Sequence, residues 1–269
     1  MLIRTITGAF VAILIYLWLF FSHLPVVLYA GMIILCVLAL FEVYRICQTD
    51  KPHMIYISFI ASVALLIIPF PSYEYILMLV LPIAILAFAV MMLFMDKIEG
   101  LRGEYSIAIG IVIILLFKTI PYLREWENGF YYLTFAVTAS FVTDIAALLF
   151  GKAFGSRKLC PKISPKKTVE GAVGGVACTV IIAMIAAILF QRFGELHFDV
   201  ITLVIWSILV SVVGQFGDLC MSVVKRIAGV KDFGNLLPGH GGILDRFDSH
   251  MFAVAFTLVF CTLTGGFIQ

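Results

Sequence analysis

Asp218, Asp245 and Asp248 stand among Lys225, Arg226, Lys231 and Arg246 in one stretch, Gly214 to Asp248, set between two long apolar runs. Gln215, Asp218, Ser222 and Lys225 follow at steps of three, four and three, which is one face of an α-helix. An acid at the centre of a membrane span costs roughly 2.5–3.5 kcal/mol on insertion scales. Asp218 lies near the end of its run, so it costs less, but it still calls for a cation. That cation is Lys225 or Arg226 further along, or a divalent metal; taken alone, the residue leaves both open. Asp245 and Asp248, three residues apart, share a helix face at the start of the last apolar run. Carboxylates are favoured at a helix amino end on structural grounds alone. Three of them converging would suit magnesium, which takes one or two carboxylates, waters and phosphate oxygens.

Between these acids runs Pro238-Gly239-His240-Gly241-Gly242. By itself such a loop reads as a tight turn. Beside three acids and four bases it favours a phosphate–metal site, because bare backbone amides form an anion nest. His240 stays open between a phosphate donor, an acid–base group and a turn residue. A second cluster is Ser164-Pro165-Lys166-Lys167-Thr168-Val169-Glu170-Gly171. Its lysines alone would be a positive anchor at the membrane surface. The Ser and Thr add a helix cap, and a capped helix with adjacent lysines is also a phosphate cradle. Asp144 is a further deep acid, read as a metal ligand, a ribose or base contact, or a partner for a lysine. Glu42, Lys118 and His250 lie near span ends and read as structural groups that snorkel to polar surroundings.

The elements that must position these residues are membrane helices. The chain has 269 residues, is 63% hydrophobic and only 13% charged. Soluble domains are about half apolar and about a quarter charged, so a soluble enzyme is excluded first. The net charge of +2 gives no global field for nucleic acid. The six cysteines form no Cys-x-x-Cys pair and read as small core hydrophobes. Nine apolar runs are each near the ~20 residues a span needs: 5–22, 25–44, 54–70, 74–95, 105–122, 130–150, 171–191, 199–222 and 249–268. Pro25, Pro71 and Pro121 fall at expected span ends, and Pro82 inside the fourth. With the N-terminus inside, fifteen of the 18 Lys and Arg residues lie on one side, leaving Lys118, Arg124 and Arg192 on the other. Basic residues favour the cytoplasmic side, which orients the chain. The expectation is an all-α polytopic membrane protein. Spans fill residues 1–125, and a catalytic region with two long cytoplasmic loops, 151–170 and 223–248, occupies 126–269.

Ser222-x-x-Lys225-Arg226, Lys231-Asp232, Leu237-Pro238-Gly239-His240-Gly241-Gly242 and Asp245-Arg246-Phe247-Asp248 together resemble the signature of phosphatidate cytidylyltransferases, the CDP-diglyceride synthases. The Ser164–Gly171 element, Gly217-Asp218-Leu219 and the Asp144 region are similar to the same family, so the resemblance spans about 138–250. Cys220-Met221 departs from the more polar pair, with an acid, expected there. The resemblance implies a multi-pass inner-membrane enzyme, usually a homodimer, that converts CTP and phosphatidic acid to CDP-diacylglycerol and pyrophosphate with magnesium, and it leaves room for a second, monovalent cation. It implies magnesium on Asp218 and Asp245, with Asp248 in support. Lys225 and Arg226 would join them in catalysis. Asp144, Ser164, Lys166, Lys167, Ser222, Lys231, His240, Gly241, Gly242 and Arg246 would contact substrate. The competing readings are a CTP-dependent lipid kinase, which would release CDP, and an ion or solute transporter using its intramembrane acids. The nine-span arrangement makes one direct prediction: a reporter fused to the C-terminus lies outside the cytoplasm, and a cytoplasmic signal from that fusion would overturn it.

Overall fold

The computed structural model describes residues 2–46, 56, 59–60, 64, 73–94, 103–194, 196–236 and 241–268. Its helices are α1 (Leu2–Phe20), α2 (Pro25–Arg45), α3 (Tyr73–Phe94), α4 (Gly103–Glu125), α5 (Gly129–Phe154), α6 (Val169–Gly194), α7 (Val200–Ile227) and α8 (Leu244–Thr264). Among the described residues, seven helices are long and apolar enough to cross a membrane, α2 through α8, while the apolar segment Gly8–His23 is shorter. The run at 54–70 lies largely outside the described residues. Many large side chains point outward, among them Val26, Leu93 and Phe193, each at least 79% exposed. Such a surface suits hydrocarbon rather than water.

Local sequence explains most of the boundaries. Pro25 opens α2 at its first turn, where its missing amide is not needed. Asp199 caps α7 by accepting from the Ile201 amide at 3.1 Å. Gly265, with φ of 81°, ends α8 in the left-handed conformation that glycine adopts without strain. Pro121 corrects the expectation: it sits inside α4, which continues to Glu125. So late in the helix, its missing amide costs a single bond near the end. The loops are also shorter than expected, because α5 runs on to Phe154, α7 runs on to Ile227, and α8 starts at Leu244.

The all-α expectation needs one amendment. Residues Lys158–Cys160 (β1) and Ser164–Thr168 (β2) form an antiparallel hairpin between α5 and α6. Thr168 ends the hairpin and caps α6, accepting from the Gly171 amide at 3.1 Å. The Glu170 carboxylate, in the first turn of the capped helix, accepts from the amides of Ser156 and Arg157 and ties the hairpin's entry to its exit.

Helix α8 is the centre of the bundle. It packs against α7, α4, α5, α3 and α2, and 72% of its span is buried. The most extensive helix pair is α5 with α6. Lipid offers apolar surface as good as a neighbouring helix, so close backbone approach carries association there. At Gly171 a Cβ would come within 2.5 Å of the Ala147 carbonyl oxygen. At the end of the bundle away from the acids, Tyr132, Phe135, Phe198, Trp206 and Phe267 form an aromatic cluster with ring centroids 4.7–6.0 Å apart. The buried Trp206 ring N–H donates to Thr257 on α8 at 3.1 Å.

Candidate active site

The α-helical face read from the sequence is the face that builds the site. Along α7, Gln215 donates to the Ala172 carbonyl of α6 at 3.3 Å. Asp218 forms an ion pair with Lys167 of β2. The Ser222 hydroxyl reaches toward Asp218 at 3.5 Å, and Lys225 donates to Asp245 of α8 at 2.7 Å. One stripe of α7 thus joins α6, the hairpin and α8.

The pairing of charges differs from the sequence expectation. Asp218 takes its cation from the hairpin, not from Lys225 or Arg226 on its own helix. A strand sends neighbouring side chains to opposite faces, so Lys167 turns to Asp218 while Lys166 is exposed. Burial alone would depress the Lys167 ammonium. The Asp218 carboxylate, with Asp144 and Asp248 behind it, outweighs burial and holds its pKa above the ordinary lysine value. Lys167 is therefore a full positive charge at neutral pH.

Asp144, Asp218 and Asp248, from α5, α7 and α8, interact electrostatically with one another. Asp144 also accepts from the Ser249 hydroxyl at 3.0 Å, and Asp248 accepts from the Ser249 amide at 2.8 Å. Asp245 is held differently. Its Oδ1 accepts from Lys225, and its Oδ2 accepts from the amides of Phe233 and Gly242 at 2.8 and 2.9 Å. A carboxylate offers about four lone-pair sites, so these bonds fill Oδ2 and leave room on Oδ1. The Lys225 ammonium also stands 5.3 Å from the centroid of the Phe233 ring.

The other expected residues divide. Arg226 is turned to backbone carbonyls, donating to Ile163 at 3.1 Å and Val230 at 3.3 Å. It clips the hairpin turn to the end of α7 and takes no part in the Lys167–Asp218 and Lys225–Asp245 ion pairs. Lys231 and Arg246 are exposed, Arg246 close enough to act electrostatically on Asp144. Ser164 is half-buried in β2, at the end of the hairpin register opposite Cys160. Gly241 has φ of 86°, and a Cβ there would meet Asp245 Oδ2 at 2.8 Å. The Gly242 amide, read as part of an anion nest, is taken up by Asp245. His240, with Leu237, Pro238 and Gly239, lies outside the described residues. Among the described residues, no group of three or more His, Cys, Asp and Glu side chains is drawn together as a metal site.

One residue bonded to the amino end of α8 carries no sign of that role in the sequence. Glu42 does not snorkel: it is 1% exposed and accepts from the Ile243 and Leu244 amides at 2.8 and 2.9 Å. Lys118 and His250 are buried too, at 4% each. His250 sits against the Phe141 ring at 4.5 Å, with Nδ1 3.3 Å from the Ser249 hydroxyl. The signal for Glu42 was an acid in the last turn of a span with Arg45 beside it, which marks a span end just as well.

A polytopic helical bundle that gathers acids and ammonium groups from five elements has the parts of a membrane-embedded phosphoryl- or nucleotidyl-transfer enzyme. The cytidylyltransferase family model matches residues 2–264, and the chain belongs to that family. It is 34% identical over 263 residues to a protein named phosphatidate cytidylyltransferase from Staphylococcus epidermidis, covering 94% of this chain and 96% of the relative. A protein of the same name from Staphylococcus aureus is 32% identical over 262 residues, with the same coverage of both chains. One from Bacillus subtilis is 47% identical over 130 residues, 48% of this chain and 47% of its own.

The Lys225–Asp245 pair yields a prediction independent of activity. Its side chains are 10% and 3% exposed. Removing one partner of a buried ion pair costs about 3–5 kcal/mol, because the other charge is stranded. Lys225→Met should lower thermal stability in detergent markedly, and adding Asp245→Asn should return part of the loss. A melting temperature for Lys225→Met equal to that of the parent would contradict the pairing.

Proposed function

We propose that the chain transfers the cytidylyl group of CTP to phosphatidic acid, producing CDP-diacylglycerol and pyrophosphate. The observation that carries this reading is the convergence of Asp144, Asp218 and Asp248 with Lys167 and Lys225 in a chain of this family. A phosphate oxygen of the lipid attacks the α-phosphorus of CTP. The new O–P bond forms as the bond to the bridging oxygen breaks, and the electron pair leaves on pyrophosphate. No covalent enzyme intermediate is needed. Both reactants are anions, so positioning and charge stabilisation supply nearly all the catalysis. Lys167 and Lys225 hold fixed positive charge beside the acids. The exposed Lys166, Lys231 and Arg246 draw the phosphates in.

We assign magnesium to Asp218 and Asp245, with Asp248 in support and Asp144 as a further contact. What supports the assignment is the donor chemistry of these two residues: Asp218 and Asp245 each stand against one ammonium group, and Asp245 Oδ1 keeps lone-pair capacity beside its Lys225 bond. When bound, magnesium clamps phosphate oxygens and neutralises developing charge. The excess of basic residues on one side supports a cytoplasm-facing site in the cell membrane, with the N-terminus inside.

The test is product analysis. Purified protein in detergent, given labelled CTP, phosphatidic acid and magnesium, should yield cytidine-labelled lipid with matching pyrophosphate. Asp218→Asn and Asp245→Asn should insert normally and lose about 10²-fold or more in rate, the scale of removing a preorganised electrostatic group. Near-parental activity in either variant removes that residue from the metal shell. Labelled phosphate in the lipid with CDP released would replace the proposal with a kinase.

A further inference from the structure

Glu42 is on α2, some two hundred residues before the groups it binds. An ordinary helix cap is local: a Ser, Thr, Asp or Asn just before the first turn. Helix α8 lacks one, since Ile243 stands at its cap position and offers no side-chain acceptor. Glu42 supplies both acceptors instead, Oε1 to the Ile243 amide and Oε2 to the Leu244 amide. Two glycines leave room for it. A Cβ on Gly242 would lie 2.4 Å from each Glu42 oxygen, and one on Gly234 would lie 2.6 Å from Oε1.

The residues on either side of this contact are those of the site. The Gly242 amide, next to the two bound by Glu42, goes to Asp245, as does the Phe233 amide. Asp245 and Asp248 lie in the first turns of α8, with Asp248 near enough to Asp218 to act on it electrostatically. We propose that Glu42 is a positioning residue for the transfer reaction. Through the amino end of α8 and the loop before it, it sets where Asp245 and Asp248 stand relative to Asp218. Gly234 and Gly242 are the space that lets it reach them. This inference rests on the function proposed above for its kinetic arm. Its exchange arm does not, so a failure of that function is told apart by a parent protein that shows the exchange pattern without cytidylyl transfer.

Two measurements on the full-length protein in detergent test it. Hydrogen exchange in Glu42→Ala should quicken by at least about tenfold in the segment around 233–248, while α5 and the aromatic end keep their protection. Uniform loss of protection across the helices would reduce Glu42 to a general stability residue and overturn the proposal. In the kinetic arm, kcat should fall by about 10²-fold, the order that a displacement of about 1 Å costs, with KM for both substrates little changed. Gly234→Ala should lower kcat by pushing Glu42 aside, and should cost almost nothing further when Glu42 is already Ala. Additive losses, or parental kcat in Glu42→Ala, would also overturn it. If Glu42→Ala fails to insert, Glu42→Gln carries the test: it keeps the shape but turns one acceptor into a donor. A lowered kcat with faster exchange confined to the same segment supports the role, and parental kcat ends it.

Discussion

Three carboxyl groups from three helices stand near enough at the core of this site to act on one another, and each negative charge placed there raises the cost of the next. Two like charges about 4 Å apart oppose each other by ~4 kcal/mol at the effective dielectric near a protein surface. Asp144, Asp218 and Asp248 hold together because Lys167 and Lys225 stand among them. Lys225 comes with α7 itself. Lys167 has to be brought, and that need accounts for the hairpin. The Thr168 cap, the Glu170 contacts with Ser156 and Arg157, and the Arg226 clip to Ile163 fix the strand that carries it. Each is a modest interaction on its own. Their shared effect is to put one ammonium group against Asp218.

The amino end of α8 shows a second use of carboxylates. A free helix start is an anion site, with amides and dipole aimed at a phosphate. Here the amides of Gly242, Ile243 and Leu244 already point at Asp245 and Glu42. That helix start therefore orders the protein's own acids and is not open to a substrate anion. On the proposed function, phosphate charge is met by side-chain cations: Lys167 inside the site, with Lys166, Lys231 and Arg246 toward its exposed edge.

The spans and the α7 face were legible because both depend on period and length alone. Among the described residues, apolar runs of the right length became helices, and Gln215, Asp218, Ser222 and Lys225 came out as one stripe. Partners across the fold were not legible. Asp218 could be seen to want a cation, but a helix period offers only the cations on its own helix, Lys225 and Arg226. The answer, Lys167, depends on a hairpin whose short strands, with a proline and three lysines, look like an anchoring loop. Arg226 reads as a catalytic cation for the same reason that a base beside an acid usually does; its carbonyl partners, Ile163 and Val230, carry no mark in the sequence. Glu42 is the sharpest case. One acid near the end of a greasy helix has the same local pattern whether it reaches out to water or turns in to hold another helix.

The acids and ammonium groups of the site begin at Asp144, but the helices that support them begin much earlier in the chain. α8 lies against α2, α3 and α4 as well as α5 and α7. Phe117 of α4 meets Phe247 with ring centroids 6.3 Å apart, between Asp245 and Asp248 in sequence. Phe88 of α3 meets Phe252 at 6.4 Å, one turn further along. Glu42 of α2 takes the first amides of the same helix. In lipid, none of these helices gains a hydrophobic driving force from its neighbours, so position is set by shape and by the few polar contacts available. The first half of the chain meets that requirement: it grips the helix bearing Asp245 and Asp248 on the sides that α5 and α7 leave open. A C-terminal half cut free of it would keep nearly every acid and base of the site and lose the contacts that fix where two of the acids stand.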